Sequence, residues 1–204
     1  MKIIVFGANG RTGQKVIEQA INKGMEVTAF ARSADSIKLK SDKLSVVIGQ
    51  ATIYEDVKKA IVGHDVVISC IGGPGAKPST TITDITNNIV NAMNETGVKR
   101  IAQVASAGIH GELKGVIGKI ISLMLKNPLK DHKGAYEKLQ EGGVDYTLAR
   151  PMSLTEGIFT GVYRETEEGV PHGAKNISRS DVANFLLKAI EDDKYIKKSI
   201  GLAY

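Results

Sequence analysis

Short apolar runs recur along this chain, and between them apolar positions fall three and four residues apart. Continuous Ile/Val/Ala-rich runs predict strands at 2–6, 25–31, 45–48, 65–71, 99–105 and 145–149. Runs without polar alternation suit a parallel sheet covered on both faces. Val16, Ile17, Ala20 and Ile21 make one helical stripe, ended by Gly24 where a left-handed cap is wanted. Val57, Ala60, Ile61 and Val62 make a second, closed by Gly63. Ile82, Ile85, Ile89, Val90 and Met93 make a third, closed by Gly97.

Repeated strand–helix units with right-handed crossovers predict an α/β fold, a Rossmann-type doubly wound parallel sheet in three αβα layers. After Pro151 the rhythm weakens. Residues 158–176 read as loops with a short hairpin. Ser180 and Asp181 then start a helix, Val182–Ile190, and a short strand is read near Ile196–Ala203. With no linker in 204 residues, one domain spanning 1–204 is expected, its substrate-side segments at about 107–130 and 152–176.

Composition narrows the classes. The apolar fraction is 42%, the charged fraction 24% and the net charge +5, with Lys and Arg scattered. Such a balance suits an anionic small molecule and gives no reason to expect nucleic acid. Cys70 is the only cysteine and follows the apolar run Val66–Ser69, so a buried inert thiol is expected. His64, His110, His132 and His172 lack ligand spacing, and no metal site is expected. No apolar run is long enough to span a bilayer, and the first apolar run reaches glycine at once; a cytoplasmic protein is expected.

The stretch GANGRTG, Gly7–Gly13, lies where the first strand gives way to the first helix. Glycine lets the backbone turn sharply and approach a pyrophosphate, while free N–H groups at a helix start supply donors and positive dipole. Gly7, Asn9, Gly10, Arg11, Thr12 and Gly13 are therefore expected to cradle a dinucleotide. The second strand ends in Arg32 and Ser33, where an NAD-selective site would place a carboxylate for the ribose diol. Asp35 is the nearest acid and lies beyond the strand. Arg32, with Arg11 expected on the same side of the cofactor, matches the extra phosphate of NADP(H).

The chain resembles the atypical short-chain dehydrogenase/reductases with NmrA-like, NAD(P)-binding Rossmann domains, over nearly its whole length. The likeness rests on VFGANGRTG at Val5–Gly13, FARS at Phe30–Ser33, DVVISCIGG at Asp65–Gly73 and NNIVNAMNETGVKRI at Asn87–Ile101. It continues through VASAG at Val104–Gly108, DHKGAYEKLQEGGVDYTLARP at Asp131–Pro151 and ISRSDVANFLLKAI at Ile177–Ile190. The resemblance implies that Ile71, Gly72 and Gly73 lie against adenosine and pyrophosphate. It also implies that Ala105 and Ser106 lie beside the nicotinamide and substrate, and that Arg150, Pro151, Met152 and Ser153 border the nicotinamide. Gln50 stands where such proteins often place an aspartate for the adenine.

Typical members of that superfamily protonate a carbonyl oxygen with a tyrosine, helped by a lysine four residues later. Here those positions fall near Pro128 and His132. Tyr54 with Lys58 has the spacing but precedes the fourth strand, and Tyr136 has Gln140 at that offset. The resemblance thus implies an NADPH-dependent oxidoreductase for a conjugated acceptor such as free flavin or a quinone, which disperses arriving charge without a strong acid. Ser106 and His132 are its candidate catalytic residues. A non-catalytic NADP(H) sensor of the NmrA-like type is the alternative. Glu112–Lys130 has the composition of a basic amphipathic helix, and is expected to cover the substrate side of the sheet and not to meet a membrane. A small planar substrate and a monomer or homodimer complete the expectation.

Overall fold

The computed structural model describes residues 1–113 and 115–204; Lys114 lies outside them, as does the side chain of Ile117, one of the apolar positions in the expected covering helix. Strands β1 (Lys2–Phe6), β2 (Glu26–Ala31), β3 (Leu44–Ile48), β4 (Val66–Ser69), β5 (Arg100–Val104) and β6 (Asp145–Pro151) alternate with helices α1 (Arg11–Asn22), α2 (Tyr54–Ile61) and α3 (Thr81–Thr96). Helices α4 (Gly115–Met124) and α5 (Lys126–Glu141) join β5 to β6. Short strands β7 (Ser153–Thr155), β8 (Arg164–Thr166) and β9 (Asn176–Ser178) precede α6 (Arg179–Glu191) and the last strand, β10 (Lys198–Ala203).

The main sheet runs β3-β2-β1-β4-β5-β6-β10-β8. All its pairings are parallel except β10 with β8. Order reverses between β1 and β4, and a crevice opens there beyond the carboxyl ends of the strands. In β1, Ile3 and Val5 face a core completed by Val16 and Ile17 of α1 and Val182, Phe185 and Leu186 of α6. Ile4 and Phe6 face the opposite core, with Val57 of α2, Ile89 and Met93 of α3 and Leu139 of α5. One strand thus supplies two cores because its side chains alternate. This is the doubly wound, three-layer fold the alternation of elements predicts.

Three elements depart from expectation. Residues 158–176 form no hairpin: β8 pairs with β10, and β9 pairs with β7. Strand β3, read as covered on both faces, is the sheet edge and leaves Val46 and Ile48 exposed. The covering helix is split. Pro128, in the first turn of α5, has no N–H to give the Met124 carbonyl, so α4 ends there, whereas α5 tolerates a proline among its unpaired first donors. Helix α4 leaves Val116, Ile120, Leu123 and Met124 exposed.

Candidate functional site

The turn after β1 assigns its three glycines different tasks. Gly7 has φ +74, and a Cβ there would stand 2.7 Å from the Cys70 carbonyl carbon and oxygen. A Cβ on Gly13 would lie 2.2 Å from the Gly7 oxygen, so α1 packs onto the turn only without one. Gly10, the N-cap of α1, donates its N–H to the Gly7 oxygen at 2.9 Å, and its absent Cβ has only that oxygen within 4 Å, at 3.1 Å. The fold needs Gly7 and Gly13 most; a Cβ on Gly10 would meet a single backbone oxygen, tightly but without the overlap of the other two, and otherwise faces the cavity. No side chain caps α1 and no acid sits in its first turn, so its positive end is left for an anion.

That end opens into a cavity of about 560 Å³ at the β1/β4 switch. Gly7, Asn9 and Gly10 form one wall, Ile71, Gly72 and Gly73 after β4 another, and Phe30, Arg32 and Gln50 the far end. Phe30 packs on Phe6 with ring centroids 4.7 Å apart. Its ring also sits where a Cβ on Gly49 would be, 2.7 Å away, so this glycine admits an aromatic wall that the sequence pattern did not single out. The backbone N–H of Gln50 donates to Asp56 at 2.9 Å, fixing the turn after β3 from the first turn of α2. Cys70, expected to be buried, is only partly so and borders the cavity, where desolvation pushes its thiol up to about 12.

The two arginines part company. Arg32 is exposed and borders the cavity, but Arg11 turns away and pairs with Glu156 at 2.9 Å. Glu156 also holds Arg179 at 2.6 Å, so Arg11 belongs to a bridge between the glycine turn, the segment after β7 and the start of α6. Of the two arginines expected to serve one phosphate, Arg32 borders the cavity and Arg11, exposed and paired with Glu156, is not among its lining residues. Thr12 is buried in the first turn of α1, and Ser33 is exposed at the start of a short 3₁₀ turn that its side chain does not cap; neither is among the residues lining the cavity.

Beyond β5 the strand pairing carries on. Ala105 N–H donates to the Ala149 carbonyl at 2.7 Å and Ala107 N–H to that of Pro151 at 3.0 Å, with Ser106 half-buried between them. The Ser106 hydroxyl donates to the Ala107 carbonyl at 3.0 Å, which leaves its lone pairs available. Met152 N–H donates to Leu202 at 3.0 Å, so Pro151 and Met152 close the end of β6. Ala105, Ser106, Pro151 and Met152 are not among the residues lining the cavity. Arg150, expected at the nicotinamide, is wholly buried. Its guanidinium pairs with Glu112 and donates to the Ser199 hydroxyl at 2.9 Å and the carbonyls of Gly169 at 2.9 Å and Glu167 at 3.0 Å. It staples the segment after β5 and the β8–β9 connection to β10. The residue is structural.

Helix α5 carries the positions where a tyrosine and lysine would stand. His132 there has a buried Nδ1 with no hydrogen-bond partner among the described residues, and burial lowers its pKa to about 4. At neutral pH it is an uncharged imidazole. Next to it, Asp131 accepts from the N–H groups of Ile82 at 3.1 Å and Thr83 at 2.9 Å, and so caps α3 from another helix. Its carboxylate also stands 3.8 Å from where a Cβ on Gly73 would be, beside the cavity wall. Tyr136 stacks edge-on against His110 and Tyr146, and burial raises its hydroxyl to about 12. Tyr54 and Lys58 lie on α2 and are both held by Glu95. Among the described residues no three His, Cys, Asp or Glu side chains stand together as a metal site would require, and no helix is long and apolar enough to cross a membrane.

A doubly wound sheet with a capless, glycine-lined helix start at its switch point defines a dinucleotide-binding protein. Residues 7–193 match the model of the NAD(P)H-binding family, and the chain belongs to that family. An uncharacterized chloroplastic protein of Arabidopsis thaliana is 30% identical over 93% of this chain and 71% of its own length. A short-chain dehydrogenase/reductase from Veillonella parvula, solved in complex with NADP, superposes with a TM-score of 0.87 at 20% identity, covering 100% of this chain and 94% of that one. The anaerobilin reductase ChuY from Escherichia coli O157:H7 superposes with a TM-score of 0.85 at 21% identity, covering 100% and 97%. At such identities the two solved structures share the fold.

Proposed function

We propose that this protein is an NADPH-dependent reductase of a planar conjugated acceptor, free flavin or a quinone, of the kind represented by biliverdin reductase B. The observation that carries the reading is α5: at the positions where the resemblance would put a tyrosine and lysine it presents Pro128 and His132, and its Asp131 lies beside the Gly73 wall of the cavity. Bound NADPH would supply a hydride. The chain's own work is then to hold and orient. Gly10 and the start of α1 take the pyrophosphate, Arg32 the 2′-phosphate, and Phe30, Gln50 and Ile71 the adenosine. Ser106 orients the acceptor with its hydroxyl. His132, neutral at pH 7, can offer the acceptor a hydrogen bond but is too weak an acid to give up a proton. A ring that disperses charge becomes a weakly basic anion that solvent can protonate, whereas a simple alkoxide would need a dedicated acid or oxyanion clamp.

The test is NADPH oxidation by the purified protein with FMN, a benzoquinone, biliverdin and a simple aldehyde. Turnover of one or more conjugated acceptors at least tenfold faster than the aldehyde is expected. A fastest aldehyde overturns the reading. Tight NADPH binding without turnover of any acceptor assigns the protein to the sensor class, which the missing tyrosine–lysine pair also suits.

A further inference from the structure

The exposed face of α4 is independent of which acceptor the cavity serves. Val116, Ile120, Leu123 and Met124 recur at helical spacing, and three of them are 71–76% exposed. Lys119 lies on the same stripe, between Val116 and Leu123. The two chain segments at this corner are basic in sequence. Residues 113–130 contain Lys114, Lys119, Lys126 and Lys130 with no acid, and residues 66–83 contain Lys77 with no acid. The Asn127 side chain donates to the Ala76 carbonyl at 2.8 Å, joining these two segments so that Lys77 borders the corner between α4 and α5. Of the acids flanking them in sequence, Glu112 and Asp131 are engaged by Arg150 and by the start of α3. Asp84 is exposed on α3 and accepts from the Thr80 hydroxyl at 2.8 Å, and Asp65 lies at the far end of β4.

From this arrangement, and against the expectation that the segment only covers the sheet, we propose that α4 docks the protein onto an anionic lipid surface. The apolar stripe enters the headgroup boundary, and the lysines bury their stems while their ammonium groups reach the phosphates. A second copy of the chain fits less well. A two-fold contact would set lysine stripes against each other, and one stripe on a helix of about 15 Å is small beside the ~800 Å² per partner of a stable interface. The docked face adjoins the cavity rim through the loop after Gly73.

Co-sedimentation of the full chain with vesicles tests this, using phosphatidylcholine alone and phosphatidylcholine mixed with phosphatidylglycerol. About a hundredfold tighter binding to the mixed vesicles is expected, weakening as salt is added. The pair Leu123→Ser and Met124→Ser should lose at least tenfold, and so should the pair Lys119→Glu and Lys126→Glu. Both variants should keep the native circular dichroism and NADPH affinity, since neither alters the cavity. Failure of the unmodified protein to bind mixed vesicles overturns the proposal, as does binding that survives both pairs of substitutions. A lipid-free dimer that Leu123→Ser and Met124→Ser dissociate would also overturn it, by giving the face to a second copy.

Discussion

At the scale of single residues, Arg32 is the cation that borders the cavity, because Glu156 holds Arg11 elsewhere. Arg32→Ala should therefore narrow the preference for NADPH over NADH by about 1–3 kcal/mol, the range of a charge-assisted hydrogen bond, whereas Arg11→Ala should leave that preference within a few-fold. Titration of each variant with both cofactors checks this; equal affinities in the unmodified protein would refute the NADPH assignment. Ser106→Ala should slow flavin or quinone reduction about tenfold, or about 1.4 kcal/mol. Tyr136→Phe should keep most of the rate, since that hydroxyl is raised to about 12 and packs among aromatic rings. His132 makes a separate prediction about pH. Its folded pKa of about 4 lies below the 6.5 of the free group, so the unfolded chain binds the extra proton first. The stabilising contribution is complete above about pH 6.5 and is lost as the pH falls toward 4, up to about 3 kcal/mol. His132→Leu should flatten that part of the curve relative to the unmodified protein, measured by denaturant unfolding across this range.

Elements show how local signals and distant partners share the work. The six strands of the α/β core were legible because each is a short apolar run bounded by glycine or polar residues, and the cradle because glycines at Gly7, Gly10 and Gly13 follow a strand. The junction between α4 and α5 was not, because the apolar pattern runs through it and only the missing N–H of Pro128 marks the break. Nor could spacing show that Asp131 caps α3 from 48 residues away, or that Glu112 takes Arg150 out of the site. Such pairings depend on which ends of the helices the packing brings together. Asp131→Ala should strand the first donors of α3 and cost about 1–3 kcal/mol in chemical denaturation, with Asp131→Asn recovering part. A loss under about 0.3 kcal/mol would mean that water caps α3 equally well.

For the whole molecule, the Arg150 staple holds the sheet together at β6 and β10, and the cavity opens at β1 and β4. Glu112→Ala leaves a buried guanidinium without its carboxylate and should destabilise the fold by about 3–5 kcal/mol, read as a lower denaturation midpoint. Cofactor binding acts the other way. At a concentration a hundredfold above its dissociation constant, NADPH should stabilise the protein by about 2.7 kcal/mol, or roughly 5–10 °C in melting temperature. NADH at the same concentration should shift it less. Failure of NADPH to move the melting temperature would remove the cavity from consideration as a dinucleotide site. The uneven roles of the three cradle glycines have a consequence for genetics. Substitutions at Gly7 and Gly13 overlap backbone outright, so they should deplete the protein from the cell, while alanine at Gly10, 3.1 Å from the Gly7 oxygen, needs only a small shift and should lower abundance far less than it lowers NADPH binding. A mutational scan read once for protein level and once for NADPH binding should therefore split one short motif into two phenotypic classes, with Gly10 as the position for a stable, ligand-blind control.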